Sequence, residues 1–331
     1  YPFLLIHRPI PSYTSRSTRE FTISTGHSAC LKGGNAMSRV TALLGSQYPI
    51  IQGAMGVICN PELVAAVSEA GGFGLLATAF TEHPKFLRNQ VKATKQLTNK
   101  PFGSNIFVMN PLAQKFVEVL AEEGVKVATV SGGSPKGLIP ILHDLGIKVI
   151  VVSPTVDGAK GAEALGADAV VAEGAESGRV QGFKGVSTIV LVPIVVDAVK
   201  IPVIAAGGIG DSRGYKAALA LGAEGVQMGT RFIATKECIA HSIYKTTILD
   251  FDETGTGLVN MGRFQIRALR TSLVERLIKG EESARPGFTR QVMEDAWIKG
   301  NLEAGLLPAV QVAGLVSDTP SVGEVINEII R

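Results

Sequence analysis

DLGIKVIVV (residues 144–152) and ALGADAVVA (residues 164–172) follow one grammar. A helix-like run ends in Gly, a small or branched residue and a charged one follow, and an apolar run begins. EEGVKVATV (122–130) and ALGAEGVQM (220–228) repeat it. The first three phrases recur about every 20 residues, the length of one short helix plus one strand. Gly past a helix end supplies the left-handed cap. Unbroken Val/Ile runs read as strands buried on both faces. A second phrase starts strands after a proline, in KPFGSNIFV (100–108) and KIPVIAAGG (200–208). With PIIQGAM (49–55) and FGLLATA (73–79), strands are predicted to start near 49, 74, 102, 127, 148, 169, 202 and 225. Eight strand–helix units imply an α/β fold, a (β/α)8 TIM barrel; a doubly wound open sheet is the competing arrangement.

The pattern breaks after TRFIATKE (230–237). Residues 238–305 are more charged, read mostly as helix and loop, and hold the single Trp, Trp297. They are expected to form a mostly helical insertion after the eighth strand, a cap near the barrel mouth. LLPAVQVAGLVSDTPSVGEVINEII (306–330) then returns to a barrel-like end, so the barrel is expected to comprise 37–237 and 306–331. Residues 1–36 have no sustained period and are rich in Ser and Thr. They read as a leader or flexible tail outside the fold, Met37 opening the regular text.

Composition narrows the function classes. In 331 residues, 46% are hydrophobic and 38 are Gly, which suits buried strands joined by tight turns. The net charge of +3 has no basic stripe and few aromatics among its Lys and Arg, so nucleic-acid binding is not expected. Cys30, Cys59 and Cys238 are far apart and odd in number, which points to a reducing, cytoplasmic setting without a disulfide frame or a metal site. No apolar run approaches the roughly 20 residues that span a bilayer, so no membrane association is expected.

In a barrel of this kind the site lies where the strands end. The seventh strand ends in AAGGIGD (205–211) and the eighth in QMGTR (227–231). Paired glycines let backbone N–H groups approach an anion, a helix N-terminus follows each, and Thr230 adds a hydroxyl. Together they predict a phosphorylated ligand. Other strand ends are polar: Gln52, Asn105, Ser131 with its two glycines, and Glu173. Converging amide and hydroxyl groups suit a flat heterocycle such as a flavin, with Met55 and Phe107 as apolar borders. His83, His143, His241, Cys59 and Cys238 have no partners at catalytic or metal-ligand spacing and read as structural.

The set PIIQGAM, AGGFG, KPFGSNI, EGAESG, PVIAAGGI, ALGAEGVQMGTRF and VQVAGLV resembles the nitronate monooxygenase (2-nitropropane dioxygenase-like) family, which includes FMN-dependent enoyl-acyl-carrier-protein reductases. The resemblance runs from about Pro49 to Leu315. It implies a (β/α)8 barrel binding one FMN. It places Ala54, Met55, Asn105, Ser131, Glu173 and Gly178 at the flavin. It places Gly207, Gly208, Gln227, Met228, Gly229 and Thr230 at its phosphate and ribityl chain, and Gln311 near the ring.

One loop departs from the family. In EGAESGRVQGFKG (173–185), members usually carry Gly-Gly-His where this chain has Gly178-Arg179-Val180. Val180 has no proton to give or take, so acid–base work from this slot is absent. Arg179, as an anion-attracting group, and Glu176, as a base whose pKa burial has raised, are the residual candidates. Two chemistries survive without a base: oxidation of an already anionic nitronate, and hydride transfer from NAD(P)H. The resemblance therefore implies a nitronate monooxygenase-like oxidoreductase acting on a small molecule with oxygen. The alternatives are an NAD(P)H-dependent reductase, with an acyl carrier protein as partner, and a flavin-binding protein with little catalysis. A homodimer remains open. Another phosphate-binding barrel, similar to inosine monophosphate dehydrogenase, lacks its Cys-bearing loop here.

Overall fold

A computed structural model of the chain describes residues 38–178, 180–181, 185–262 and 264–331. The reading of residues 1–36, and Arg179, lie outside these.

Eight parallel strands form the main sheet: β1 (Ile50–Gln52), β2 (Leu75–Ala77), β3 (Gly103–Phe107), β4 (Val127–Ser131), β5 (Lys148–Ser153), β6 (Ala169–Glu173), β8 (Val203–Ala206) and β9 (Gly225–Met228). β7 is the two-residue strand Val180–Gln181, which lies outside it. The spatial order is β1-β9-β8-β6-β5-β4-β3-β2. The two ends meet where Phe73 N–H donates to Ile50 O at 2.8 Å and Gln52 N–H donates to Phe73 O at 3.0 Å. The result is a TIM barrel with helices between its strands, each strand beginning within a residue of its expected start.

β6 shows why its sequence has no polar alternation. Ala169 and Val171 pack into the barrel interior with Ile150, Val152, Ile204 and Ala206. Val170 and Ala172 face outward onto Leu191, Val192 and Val195 of the helix Thr188–Ala198. Both faces are buried, and each fully buried Val stabilises the fold by roughly 1.5–3 kcal/mol. The helices end as expected: Gly146 (φ 71°) follows the helix Ile139–Asp144 and Gly166 (φ 92°) follows Val156–Ala164. Where the strands begin, Val40 and Leu44 of the helix Arg39–Leu44 join the interior cluster.

Beyond β9 the chain holds the helices Ser242–Asp250, Ser272–Ile278 and Arg290–Trp297, and also a hairpin, β10 (Thr256–Asn260) and β11 (Gln265–Leu269). The hairpin was not expected from the sequence. β7 pairs antiparallel with β11, Val180 opposite Ile266, in a three-stranded sheet with β10. The segment after the eighth barrel strand thus grips the loop after β6. The last helix, Val322–Ile329, returns to the barrel wall beside Pro61–Glu69 and Ser212–Ala220 and starts in a Ser321/Glu324 capping box.

Candidate active site

The strand ends converge on a cavity of about 210 Å³. Every residue that the family resemblance places at a cofactor lines it except one: Ala54, Met55, Asn105, Ser131, Glu173, Gly178, Gly207, Gly208, Gln227, Met228, Gly229 and Thr230 all do. Gln311 does not. It is exposed, and its backbone N–H donates to Glu176 O at 3.1 Å. The lining also includes residues the sequence did not point to: Phe80, Ile266, Phe288, Trp297, Pro308 and Val310. Phe80 meets Phe288 and Trp297 edge-to-face, with ring centroids 5.0 Å and 6.0 Å apart. One side of the cavity is therefore aromatic and apolar.

The glycines after β8 and β9 form the polar end. Gly207 (φ 98°) and Gly208 (φ 71°) occupy the left-handed region, where a side chain is strained. A Cβ on Gly207 would also lie 2.9 Å from Thr188 Oγ1. Gly207 continues the β8–β9 ladder beside Gln227, whereas no backbone acceptor is found for the N–H groups of Gly208, Gly229 and Thr230 among the described residues. Such a cluster of unpaired donors at one cavity end, beside the start of the helix Thr230–Ile233, is suited to a bound anion. The Thr230 hydroxyl oxygen accepts the Val310 N–H at 3.0 Å, which ties the C-terminal segment to this end.

The amide and hydroxyl groups are pre-set by each other. Asn105 Nδ2 donates to Thr129 Oγ1 at 2.9 Å, and Ser131 Oγ donates to Asn105 Oδ1 at 3.1 Å. Glu173 accepts from Ser177 Oγ at 2.8 Å. Gln52 takes no part in the cavity. It is fully buried, accepts the Leu75 N–H at 3.1 Å and donates to Gly53 O, so it stitches β1 to β2.

Val180 lines the cavity beside Ile266, its cross-strand neighbour. The slot is apolar, as its sequence implies. Glu176 is not placed to act as a base. Its carboxylate accepts the Thr188 N–H at 3.0 and 2.9 Å and the Thr188 hydroxyl at 2.8 Å. Both carboxylate oxygens are thereby engaged by one residue, Thr188. The ionisable side chains among the described lining residues are Glu173 and Tyr244. Tyr244 donates to Pro308 O at 2.6 Å, and burial pushes its phenol well above the ordinary value. Its proton is committed to Pro308 O.

Arg267 is a buried neighbour of the site loop that sequence reasoning missed. It is 9% exposed on β11, and its Nε and Nη2 both donate to Ala175 O at 3.2 Å. Burial lowers its pKa, against the charge of Glu176. In the sequence it is one of two arginines in residues 256–269, with no local feature to single it out; the pairing of β7 with β11 brings it behind the loop at 173–178.

The remaining candidates are structural. His83 and His241 cap helices, their Nδ1 atoms accepting from Lys85 N–H at 3.0 Å and Ile243 N–H at 3.2 Å. His143 pairs with Asp168 at 2.9 Å away from the cavity. Burial pushes the Cys59 thiol up to about 12 and the Cys238 thiol up to about 11, so neither is a nucleophile. Among the described residues no His, Cys, Asp or Glu side chains group as a metal site, and no helix is long and apolar enough to cross a membrane.

Comparison with known proteins places this geometry. The chain matches the nitronate monooxygenase family over residues 37–116 and 112–331. It is 36% identical over 341 residues to the (3aS,4S,5R,7aS)-5-hydroxy-7a-methyl-1-oxo-octahydro-1H-indene-4-carboxyl-CoA dehydrogenase of Mycobacterium tuberculosis, covering 88% of this chain and 94% of the relative. It is 34% identical over 269 residues to a probable nitronate monooxygenase of Staphylococcus saprophyticus, covering 68% of this chain and 76% of that one. The solved structure of FabK from Thermotoga maritima superposes with a TM-score of 0.81 at 40% identity, covering 88% of this chain and 94% of the other. A nitroalkane oxidase from Streptomyces ansochromogenes gives 0.76 at 28% identity, covering 88% and 97%.

Proposed function

The chain belongs to the nitronate monooxygenase family, and we propose that it is an FMN-dependent oxidoreductase that works without a side-chain acid or base at the Val180 slot. Unpaired N–H groups at Gly208, Gly229 and Thr230 fit a phosphate, and the Asn105/Ser131 pair and Glu173 fit the polar edge of a flavin. When bound, FMN supplies the electron-accepting ring, which leaves the chain to bind, orient and exclude water. Phe80, Phe288 and Trp297 supply the apolar wall that keeps water from the reacting end.

The finer reading is oxidation of alkyl nitronates with oxygen. The observation that carries it is the pairing of Val180 with Ile266 in the wall while Glu176 is committed to Thr188. Neither Val180 nor Glu176 is placed to abstract a carbon-bound proton, and a nitronate arrives already deprotonated. The probable nitronate monooxygenase and the nitroalkane oxidase named above are consistent with it. A second reading is NAD(P)H-linked redox chemistry on a thioester-borne acyl group, carried by CoA or by an acyl carrier protein. The aromatic wall and the similarity to a CoA-ester dehydrogenase over 88% of the chain favour it.

The FMN-loaded full chain separates the two. Under the first reading, propyl-2-nitronate drives oxygen uptake far faster than neutral 2-nitropropane, and NAD(P)H is spared. Oxidation of NADH or NADPH dependent on an enoyl thioester, without nitronate turnover, selects the second. A flavin that responds to neither substrate refutes both and leaves a binding role.

A further inference from the structure

Glu176 has a position that catalysis does not use. The helix Thr188–Ala198 begins with unpaired N–H groups, and the Glu176 carboxylate from the preceding loop takes up that of Thr188 through both oxygens. The Thr188 hydroxyl has one proton and three acceptors in reach: Glu176 Oε2 at 2.8 Å, Gly207 O at 3.0 Å and Ala206 O at 3.3 Å. The Glu176 oxygen is the nearest of these acceptors, so Thr188 is held by Glu176 while it packs on the Gly207 carbonyl.

The neighbouring glycines are shaped around this pair. A Cβ on Gly174 would lie 2.0 Å from Thr188 Oγ1 and 2.5 Å from Glu176 Oε2. A Cβ on Gly208 would lie 3.6 Å from Glu176 Cγ, so the Glu176 side chain packs against the Gly207–Gly208 turn. Two further contacts fasten the same loop: Arg267 on Ala175 O, and the Gln311 N–H on Glu176 O.

We propose that Glu176 is a positioning residue for the phosphate end of the cofactor, fixing through Thr188 the Gly207–Gly208 turn whose Gly208 N–H receives that phosphate. The proposal rests on the FMN reading above. A carboxylate so near a phosphate would repel it if left bare, and the helix N-terminus offsets its charge. Glu176→Gln keeps the shape but turns an NH2 group against the Thr188 donors, so the latch opens without a cavity.

The test compares FMN with riboflavin, which lacks the phosphate, by fluorescence titration of the full-length protein. Wild type is expected to bind FMN more tightly than riboflavin. Glu176→Gln weakens FMN by about tenfold or more and leaves riboflavin unchanged. Thr188→Ser retains FMN affinity and Thr188→Val loses part of it, which covers a Glu176 variant that fails to fold. Equal losses for FMN and riboflavin would reduce Glu176 to general scaffolding and overturn the proposal, as would tighter FMN binding in Glu176→Gln. A wild type that binds no FMN, or does not discriminate it from riboflavin, overturns the cofactor reading itself and the proposal with it.

Discussion

Gly178→Ala puts a methyl group where the backbone of Ala309 already lies. The added Cβ would stand 2.5 Å from Ala309 C, 2.7 Å from its N and 2.8 Å from its Cα. Ordinary van der Waals contact begins at 3.4 Å, and none of these atoms can rotate away. The loop bearing Glu173 and Gly178 must therefore part from the C-terminal segment by roughly 1 Å. Gly178 is not in the left-handed region, so the effect is steric and adds no dihedral strain. Overpacking of this kind costs about 1–3 kcal/mol. For a chain of this size that lowers Tm by about 1.5–5 °C. Gly178 also lines the cavity, so the same displacement misplaces the reacting groups and cuts kcat/KM by about 100-fold. Thermal melts and steady-state turnover on one preparation measure both. An unchanged Tm with unchanged turnover would refute the close packing of Gly178 on Ala309 and the placement of the reaction beside it.

Three other outcomes follow from the same geometry. Val180→His places an imidazole in the wall opposite Ile266 and should speed oxidation of neutral nitroalkanes by about 100-fold. That gain should grow as pH rises through about 6.5, where imidazole becomes a base; no gain in a normally folded variant contradicts the slot assignment. Cys59 and Cys238 should resist iodoacetamide in the folded protein at neutral pH, as read by peptide mass. Rapid alkylation at either would contradict their burial. Because folding raises the Cys59 thiol from 9.0 to about 12, its contribution to stability is full below 9.0 and is lost as pH climbs toward about 12. Cys59→Ala should flatten that part of the alkaline stability curve, and an unaltered slope counts against the shift.

The barrel was legible because its signals are local. Each strand is a short apolar run after a glycine or proline, and Gly146 and Gly166 adopt the left-handed caps their positions demand. The polar end of the site was legible for the same reason: GG and GT lie at fixed offsets from strand ends, and only glycine tolerates the conformation at Gly207. What escaped is non-local. Trp297 stood out as the single Trp, yet its place in the cavity depends on the return of residues 238–305 over the mouth. The pairing of Val180 with Ile266 joins two segments far apart in sequence, through a ladder only two residues long. Glu176 looked like a base because a loop glutamate offers an acidic side chain. That it serves the helix at Thr188 depends on a turn the local pattern does not encode. Gln311 was read toward the ring from its motif, but there its backbone, not its side chain, makes the contact with Glu176.

The most direct measurement is anaerobic. The FMN-loaded full chain is mixed with propyl-2-nitronate, then separately with NADH and with NADPH, while the visible flavin band is followed. The account predicts bleaching by the nitronate at a rate that shows no side-chain ionisation near neutral pH, since Val180 holds the slot. Failure to take up FMN, or a nitronate rate that rises with pH through the range of a catalytic base, would contradict it.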